Sequence, residues 1–519
     1  MSKIIGLFGG THNANACYIK DGAIIACYEE EKLKGKKTAF DFGAKPELCL
    51  KKLKKDFGVT LQNVDHVCWA ESAPGIYREK LNLTNESFYS HHFCHAAGAY
   101  FTSNYKKEDK VMVITLDGGG RTSYGKVYLC ENNKMDLVND LPMNVNGSLG
   151  QLWMQMTEGF GWKMLKDEGK IMGMAGHGKH DEKIYDLLRS CVDYGNLSFK
   201  HSSTTQRAMH VIQYLNELGY FTNEKKRKDI AYNLQELTED IVGLYIEQLH
   251  EKYPKHTKLA LAGGIFSNVK MNQKINELDY IDEVYIYPAM GDDGLGLGAA
   301  LLKAVELGEY SIKKFDNVFL GTTDKLPDDF NKDKKYEVGY WLPGYIADEI
   351  EKGNIIAIFS GRSEYGPRAL GSRSILVKAT DKDMHEKLNK RLKRNEIMPF
   401  APIVLEHHEN DIFHCEKSTY AAEFMTMCYT TRDEWIDKIP AVVHKIDSTA
   451  RPQIVKKDNY PFYSILNAYN DITNVPVLLN TSFNGHGDPI INNLSKALEH
   501  LDNGMIDTLI VEKLAIKRK

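Results

Sequence analysis

An α/β fold in two domains is the reading this sequence supports, and three features carry it. Over residues 4–305, apolar strand-like runs lead into glycine-rich turns and helical stretches. A polar, Lys/Asp-rich connector with Pro327 and Pro343 follows over residues 306–345. After it, a fresh set of helix and strand signals begins. The length of 519 residues is enough for two to four domains, each with its own core.

In order along the chain, IIGLF (4–8) reads as a strand and leads into Gly9-Gly10-Thr11-His12-Asn13. ACYIK and AIIACYEE then flank Asp21-Gly22, a strong hairpin signal. VMVITLDGGGRTSYGKVYLC (111–130) is again strand, turn and strand, with Asp117-Gly118-Gly119-Gly120 at the turn. Leu234, Leu237, Ile241, Leu244 and Leu249 mark an amphipathic helix within 231–250. KLALAGGIFSNVKMNQKI (258–275) runs from a strand through Gly263-Gly264 into a helix. VYIYPAMGDDGLGLGAALLKAV (284–305) does the same through Gly291-Asp292-Asp293-Gly294. Past the connector come a helix near 344–352, the strand IIAIFS (355–360) and GRSEYGPRALGSRSIL (361–376). No repeat with a period of 20–50 residues is visible. The boundary is placed near residue 335, giving domains 1–335 and 336–519.

Composition removes several function classes. The chain is 43% hydrophobic and 26% charged, which excludes disordered and collagen-like chains. Its 66 Lys+Arg against 70 Asp+Glu give a net charge of −4, which argues against binding nucleic acid by bulk charge. The nine cysteines are odd in number and form no C-x-x-C pair, so a disulfide framework or four-Cys zinc site is not expected. The N-terminus reads as a strand, not a signal peptide, and no run approaches the ~18 apolar residues of a membrane helix. The expectation is a cytoplasmic protein with no membrane partner.

Two kinds of constellation suggest chemistry. In His91-His92-Phe93-Cys94-His95, a helix would put His91 and His95 on one face, as two imidazoles on one metal require, with Cys94 elsewhere. Such a pair alone is more often a surface or satisfied core feature. The four glycine turns can expose backbone amides to phosphates. One alone is weak evidence. Two hairpin loops followed by a Gly-Gly loop is the arrangement of the actin and sugar-kinase architecture. There is no GxxxxGK[ST], and no GxGxxG opens a helix, so P-loop and Rossmann folds are excluded. In the C-terminal third, Arg362, Arg368, Arg373 and Ser374, then Lys390, Arg391, Lys393 and Arg394, then Arg451 and Asn480-Thr481-Ser482 suit polyphosphate binding. The run from Lys390 to Arg394 reads equally as a solvated helix face.

The blocks HNANA (12–16), EEEK (29–32), HHFCHAAGA (91–99), LDGGG (116–120), DEGKIMGMAGHG (167–178), LAGGIFSNVKMN (261–272), PAMGDDGLGLGAAL (288–301), GRSEYGPRALGSRSIL (361–376), PFAPIVLE (399–406), STARPQ (448–453) and LNTSFNGHGDPI (479–490) occur in this order. Together they resemble the O-carbamoyltransferases of the NodU/CmcH type over nearly the whole chain. The resemblance implies an actin-like (ASKHA) N-terminal domain similar to the tRNA threonylcarbamoyl-transferase fold, followed by a YrdC-like α/β domain. It implies that the second domain makes carbamoyl-adenylate from carbamoyl phosphate and Mg-ATP, releasing pyrophosphate. The first would then pass the carbamoyl group to an acceptor hydroxyl.

The resemblance also assigns residues. His91, His95, Asp117 and Asp292 correspond to a divalent metal site, with Fe(II) the family expectation. His12 becomes the candidate base for the acceptor hydroxyl, with a turn-stabilising role as the alternative. Lys170, the second catalytic candidate, and Gly173 line the first-domain cleft. Gly118, Gly119, Gly120, Gly263, Gly264, Asn268 and Gly294 correspond to nucleotide loops. Arg368, Arg373, Ser374, Lys393, Arg394, Arg451, Asn480, Thr481 and Ser482 correspond to ATP and carbamoyl phosphate ligands. The segment before Pro399 is one residue shorter than the family's, so only Lys393 and Arg394 of the basic run are assigned. His444-Lys445-Ile446-Asp447 is one residue longer than its counterpart. The expected partner is a small-molecule hydroxyl acceptor, and a homodimer is compatible with the sequence. The rivals are a threonylcarbamoyl-type tRNA modification enzyme, carbamoylation of a nucleotide or nucleic acid, an inactive ATP-binding module, and a sugar kinase. The last leaves the second domain without a role. Ser202–Lys228 reads as an acceptor-side insertion or a plain surface helix.

Overall fold

A computed structural model describes residues 2–10, 12–37, 46–71, 85–315, 317–394 and 397–519. Thr11 of the first glycine turn lies outside them. The chain divides into two units, Met1–Glu30 with Thr38–Asp316, and Glu31–Lys37 with Asn317–Lys519. The division falls ahead of the boundary near 335 suggested by composition. The reason is local: Gly321 N donates to Ser363 O at 2.9 Å, Ser363 N to Thr322 O at 2.9 Å and Leu494 N to Asp324 Oδ2 at 2.8 Å.

The first unit is built on strands β1 (Lys3–Phe8), β2 (Asn15–Lys20), β3 (Ala23–Glu29), β4 (His66–Ala70), β5 (Glu86–Tyr89), β6 (Val111–Leu116), β7 (Ser123–Glu131) and β8 (Lys134–Pro142). A small hairpin, β9 (Tyr194–Gly195) and β10 (Ser198–Phe199), precedes β11 (Lys258–Ala262) and β12 (Glu283–Ile286). One sheet has the order β3-β2-β1-β4-β5, and the other β12-β11-β6-β7-β8. Each is an antiparallel meander whose first strand also pairs with a parallel strand, β1 with β4 and β6 with β11, and that strand pairs in parallel with one more, β4 with β5 and β11 with β12. The two sheets therefore share one topology, that of the actin-like fold. The chain was read as free of short repeats because this duplication lies in strand order, not in residue identity.

Local chemistry explains the elements. Asp21 and Gly22 turn β2 into β3 with φ of 52° and 73°, the positive pair a type I′ hairpin needs. β6 is buried along its whole length, as a strand flanked by β7 and β11 must be. The helices of this unit are α1 (Glu30–Lys34), α2 (Glu47–Phe57), α3 (His91–Phe101), α4 (Leu149–Gly159), α5 (Glu168–Ala175), α6 (Glu182–Arg189), α7 (Thr204–Glu217), α8 (Glu224–Lys252), α9 (Val269–Asn276) and α10 (Leu295–Glu306), with α1 belonging to the second unit from Glu31 onward. Glu30 accepts the backbone N–H groups of Leu48 and Cys49, capping the first turn of α2. α8 is longer than the expected 231–250, because Asn223 caps it by accepting Lys226 N at 3.1 Å. Ser202–Lys228 contributes α7 and the start of α8, and α7 buries Ala208, Val211 and Leu215.

The second unit is mixed α/β, the class expected of a YrdC-like domain. Its strands are β13 (Tyr336–Tyr340), β14 (Ile356–Phe359), β15 (Arg373–Lys378), β16 (Ala401–Leu405), β17 (Tyr429–Thr430), β18 (Thr449–Ala450), β19 (Gln453–Val455), β20 (Val477–Ser482), β21 (Thr508–Val511) and β22 (Leu514–Arg518). Eight of them form one sheet, β13-β22-β21-β14-β15-β20-β16-β19. A helix at Pro343–Glu351 starts on its proline, whose missing N–H is no loss there. All nine cysteines are free. Among the described residues no helix is long and apolar enough to cross a membrane.

Candidate functional site

Three segments of the first unit converge on one point. α3 begins at His91, so His91 and His95 stand one turn apart with their Nε2 atoms 3.1 Å from each other. Asp117 follows β6, and its Oδ2 lies 3.1 Å from His95 Nε2 and 3.6 Å from His91 Nε2. Asp292, between β12 and α10, places Oδ1 3.4 Å from both histidines. The four ligand atoms lie within 4.8 Å of one another. Two imidazole nitrogens and two carboxylate oxygens around one point fit a divalent transition metal. His92, the third histidine of the block, is turned away. Its Nδ1 meets Thr115 Oγ1 at 3.0 Å and its Nε2 meets Ser123 O at 2.8 Å.

Neighbours hold the backbone of the two aspartates. Asn15 donates to Asp292 O at 2.9 Å and accepts Gly296 N at 3.0 Å, tying β2 to the start of α10. Ser148 Oγ donates to Asp117 O at 3.1 Å. Neither Asn15 nor Ser148 was singled out from sequence, since a lone polar residue does not announce a distant backbone partner.

The electrostatics follow from burial and pairing. Burial alone would raise the Asp117 carboxyl, but the bonds from His91 and His95 overcome it and hold it well below the usual carboxylate range. Burial would lower His95, but Asp117 and Asp292 outweigh it and place its pKa at about 9. Burial, with His91 and His95 beside it, keeps His92 neutral. Without metal, the proton on His95 contributes stability that is full below its ordinary 6.5 and is lost as pH rises through about 9. A bound metal must displace that proton. Metal affinity should therefore rise close to tenfold per unit from about pH 7 to about pH 9 and then level off. Calorimetric titration in buffers of different ionisation heat should register about one proton released per metal in that range.

His12 borders the cluster, with Nε2 3.7 Å from Asp292 Oδ2. Lys170, the other catalytic candidate, pairs with Asp167 at 2.9 Å and lies over the Trp162 ring at 5.8 Å. Glu168, in the same DEGK block, was not predicted. Burial raises its carboxyl pKa, His12 is among the charges acting on it, and it accepts Leu165 N at 2.6 Å.

The nucleotide-loop glycines divide by what packing demands. A Cβ on Gly263 would lie 2.1 Å from Leu116 O, and its φ is 102°, so the fold itself requires glycine there. Gly294 is likewise closed off, 2.1 Å from Ala289 O. Gly120 packs on His91 and His92, and a Cβ on Gly264 would stand 3.1 Å from Asp117 Oδ1. Gly118 and Gly119 would meet nothing closer than 3.7 Å and 3.5 Å, so packing does not explain them. Asn268 caps α9 by accepting Met271 N at 3.1 Å and exchanges two hydrogen bonds with Gln235, at 2.8 and 3.1 Å. Its amide is thus engaged within the protein. Gln235 had no signal beyond its place on α8.

In the second unit the sheet brings the predicted motifs together. β20 lies between β15 and β16, with Ser374 opposite Ser482 and Leu376 opposite Asn480. Arg394 donates to Thr481 Oγ1 at 2.9 Å, to Ser482 O at 2.7 Å and to Asn484 O at 2.8 Å. Ser482 Oγ donates to Asn484 Oδ1 at 2.6 Å. Asn480 donates to Ala369 O at 2.9 Å. Ser374 Oγ and Asn480 Oδ1 are buried without a hydrogen-bond partner among the described residues. Arg451 follows β18, and Lys393 follows the helix Met384–Arg391 with a φ of 53°. Arg373 departs from expectation. Its terminal nitrogens donate to the carbonyls of Ser360, Gly361, Ser372 and Thr322 at 2.9–3.2 Å, and the guanidinium lies 3.6 Å over the Phe359 ring. Burial lowers its pKa to about 10. This arginine closes a backbone loop instead of facing a phosphate. Arg391 of the basic run pairs with Asp507 at 2.9 Å, as a structural helix face would.

Comparison with known proteins settles the family. Residues 45–301 match the carbamoyltransferase N-terminus, and residues 347–518 match the carbamoyltransferase C-terminus. The chain belongs to the carbamoyltransferase family. This carbamoyltransferase is 35% identical over 467 residues to an uncharacterized protein of Methanocaldococcus jannaschii, covering 85% of this chain and 75% of the relative. It is 28% identical over 561 residues to nodulation protein NolNO of Sinorhizobium fredii, covering 98% and 79% of the two chains. Nodulation protein U of the same organism is 28% identical over 424 residues, covering 77% and 73%. Among solved structures, full-length HypF in a phosphate- and nucleotide-bound form is similar at a TM-score of 0.35 and 15% identity, over 60% of this chain and 56% of that one. The activator of 2-hydroxyisocaproyl-CoA dehydratase from Clostridium difficile, with bound ADPNP, is similar at 0.36 and 18% identity, over 59% and 96%. Scores this low carry no argument about the reaction. The family is the one the motif blocks resemble, and this carbamoyltransferase is an enzyme.

Proposed function

We propose that this carbamoyltransferase works in two steps, of which the first consumes ATP, and delivers the carbamoyl group to a hydroxyl. In the first, water cleaves carbamoyl phosphate to carbamate and phosphate, and a carbamate oxygen then attacks the α-phosphorus of Mg-ATP, releasing pyrophosphate and leaving carbamoyl-adenylate. The second unit is the place for this step. Arg368, Lys393 and Arg451 are assigned to the phosphates, and Arg394 holds the end of β20 in place. Ser374 Oγ and Asn480 Oδ1, buried without a hydrogen-bond partner among the described residues, are assigned to the small polar carbamate.

In the second step the acceptor oxygen attacks the carbamoyl carbon, AMP leaves, and the hydroxyl proton passes to His12. Gly119 is assigned to offer its backbone amide to the adenylate, while the Gly118 amide holds the Asp117 carboxylate at 2.5 Å. Held by His91, His95, Asp117 and Asp292, a divalent ion (Fe(II) by the family expectation) would supply Lewis-acid and templating chemistry for the adenylate's oxygens. The net charge of −4 favours a small-molecule acceptor over tRNA.

The observation that carries this reading is the four-ligand cluster with His12 at its edge, 3.7 Å from Asp292. Pyrophosphate release from ATP should depend on carbamoyl phosphate. His12→Asn should leave that release intact and slow acceptor carbamoylation by about 10²–10⁴-fold, the range for a lost general base. Normal carbamoylation by His12→Asn, measured by mass spectrometry of the acceptor, would remove His12 from this role.

A further inference from the structure

We propose that Lys32 is a positioning residue for adenylate formation in the second unit, an inference that rests on the two-step reading above. Lys32 closes the EEEK block and lies in the Glu31–Lys37 segment, which belongs to the second unit despite its distance in sequence. Its side chain is buried, with the residue 7% exposed. The ammonium donates to Glu364 O at 3.0 Å and to Gly366 O at 2.6 Å. Lysine is rarely buried unless partnered, and an ammonium, with three donors and no acceptor, can hold two carbonyls at once.

The turn it holds opens the run that carries Arg368. On the far side of Arg368, Ala369 O accepts Asn480 Nδ2 at 2.9 Å. The backbone is therefore anchored on both sides of the candidate phosphate ligand, by Lys32 at Gly366 and by Asn480 at Ala369. Glu364 fixes the rest of the loop from within. Its Oε1 accepts the backbone N–H groups of Leu370 at 2.9 Å, Ser372 at 2.7 Å and Arg373 at 3.1 Å. Glu364 and Asn480 come from the C-terminal part of the chain, and Lys32 comes from the N-terminal part. The loop that presents Arg368 is thus completed by residues contributed before α2.

The test uses the full chain carrying Lys32→Arg, Lys32→Gln or Lys32→Met. Carbamoyl phosphate-dependent pyrophosphate release is measured against ATP concentration, beside metal binding at the first-unit cluster as a check on folding. The expected order of kcat/KM for ATP is wild type, then Arg, Gln and Met. The Met variant should fall roughly a hundredfold, the effect of a small displacement of a binding group, with metal binding unchanged. Recovery by Arg separates positioning from bulk packing. A flat series in kcat/KM, with wild-type release present, overturns this proposal alone. Absence of carbamoyl phosphate-dependent release from the wild type overturns the two-step reading, and this proposal with it.

Discussion

His95→Asn should leave the protein folded, empty its metal site and stop acceptor carbamoylation, while pyrophosphate release continues. His95 is fully buried and faces His91, Asp117 and Asp292 at once, at 3.1–3.4 Å. Loss of a residue that merely orients a metal ligand costs about 10–100-fold. Loss of a ligand from a four-donor set should therefore cost roughly a hundredfold or more in metal affinity and in transfer. The second unit contains none of these residues. Metal content per chain, pyrophosphate release and acceptor mass gain, measured on one preparation, separate the two half-reactions. A variant that keeps wild-type metal content and transfer would show that the cluster is only structural.

Gly298→Ala should be among the most damaging of the single-methyl changes. Gly298 lies in α10, and its Cβ would stand 2.0 Å from Cys94 O and 2.6 Å from Cys94 C. Those are backbone atoms of α3, so no rotamer relieves the clash. α10 and α3 must move apart, and α3 carries His91 and His95. Overpacking costs typically 1–3 kcal/mol, and a backbone clash belongs at or above about 3 kcal/mol. For a unit of this size that is a fall of roughly 5 °C in melting temperature. The metal site should weaken with it. Gly243→Ala on α8 is the matched control, since its Cβ would meet nothing within 4 Å. It should be neutral or stabilising by up to about 1 kcal/mol. Equal melting temperatures for the two variants would contradict this account of how α3 is placed.

The four-residue His/Asp cluster was legible in sequence because its parts are local. An i,i+4 histidine pair and two Asp-Gly turns after apolar strands are each visible within a few residues, and the resemblance joins them. The residues that hold the cluster were not legible. Asn15 and Ser148 act through partners 277 and 31 positions away, and nothing beside them in sequence marks that. Arg373 shows the converse error. An arginine among small residues reads the same whether it meets a phosphate or a ring of carbonyls, and only the fold distinguishes them. The duplicated strand order was equally hidden, since the order in which strands pair is not a property of any one segment. Lys32 stood in a quoted motif, but its carbonyl partners lie 332 and 334 residues on.

The division of labour between the units is the central claim, and one measurement tests it most directly. The His95→Asn enzyme is supplied with Mg-ATP and isotopically labelled carbamoyl phosphate, and its nucleotides are analysed by mass spectrometry. The account predicts that labelled carbamoyl-adenylate forms and accumulates, with pyrophosphate, while no acceptor is carbamoylated. Failure of His95→Asn to make any adenylate while the wild type does, or carbamoylation of the acceptor at the wild-type rate, would contradict it.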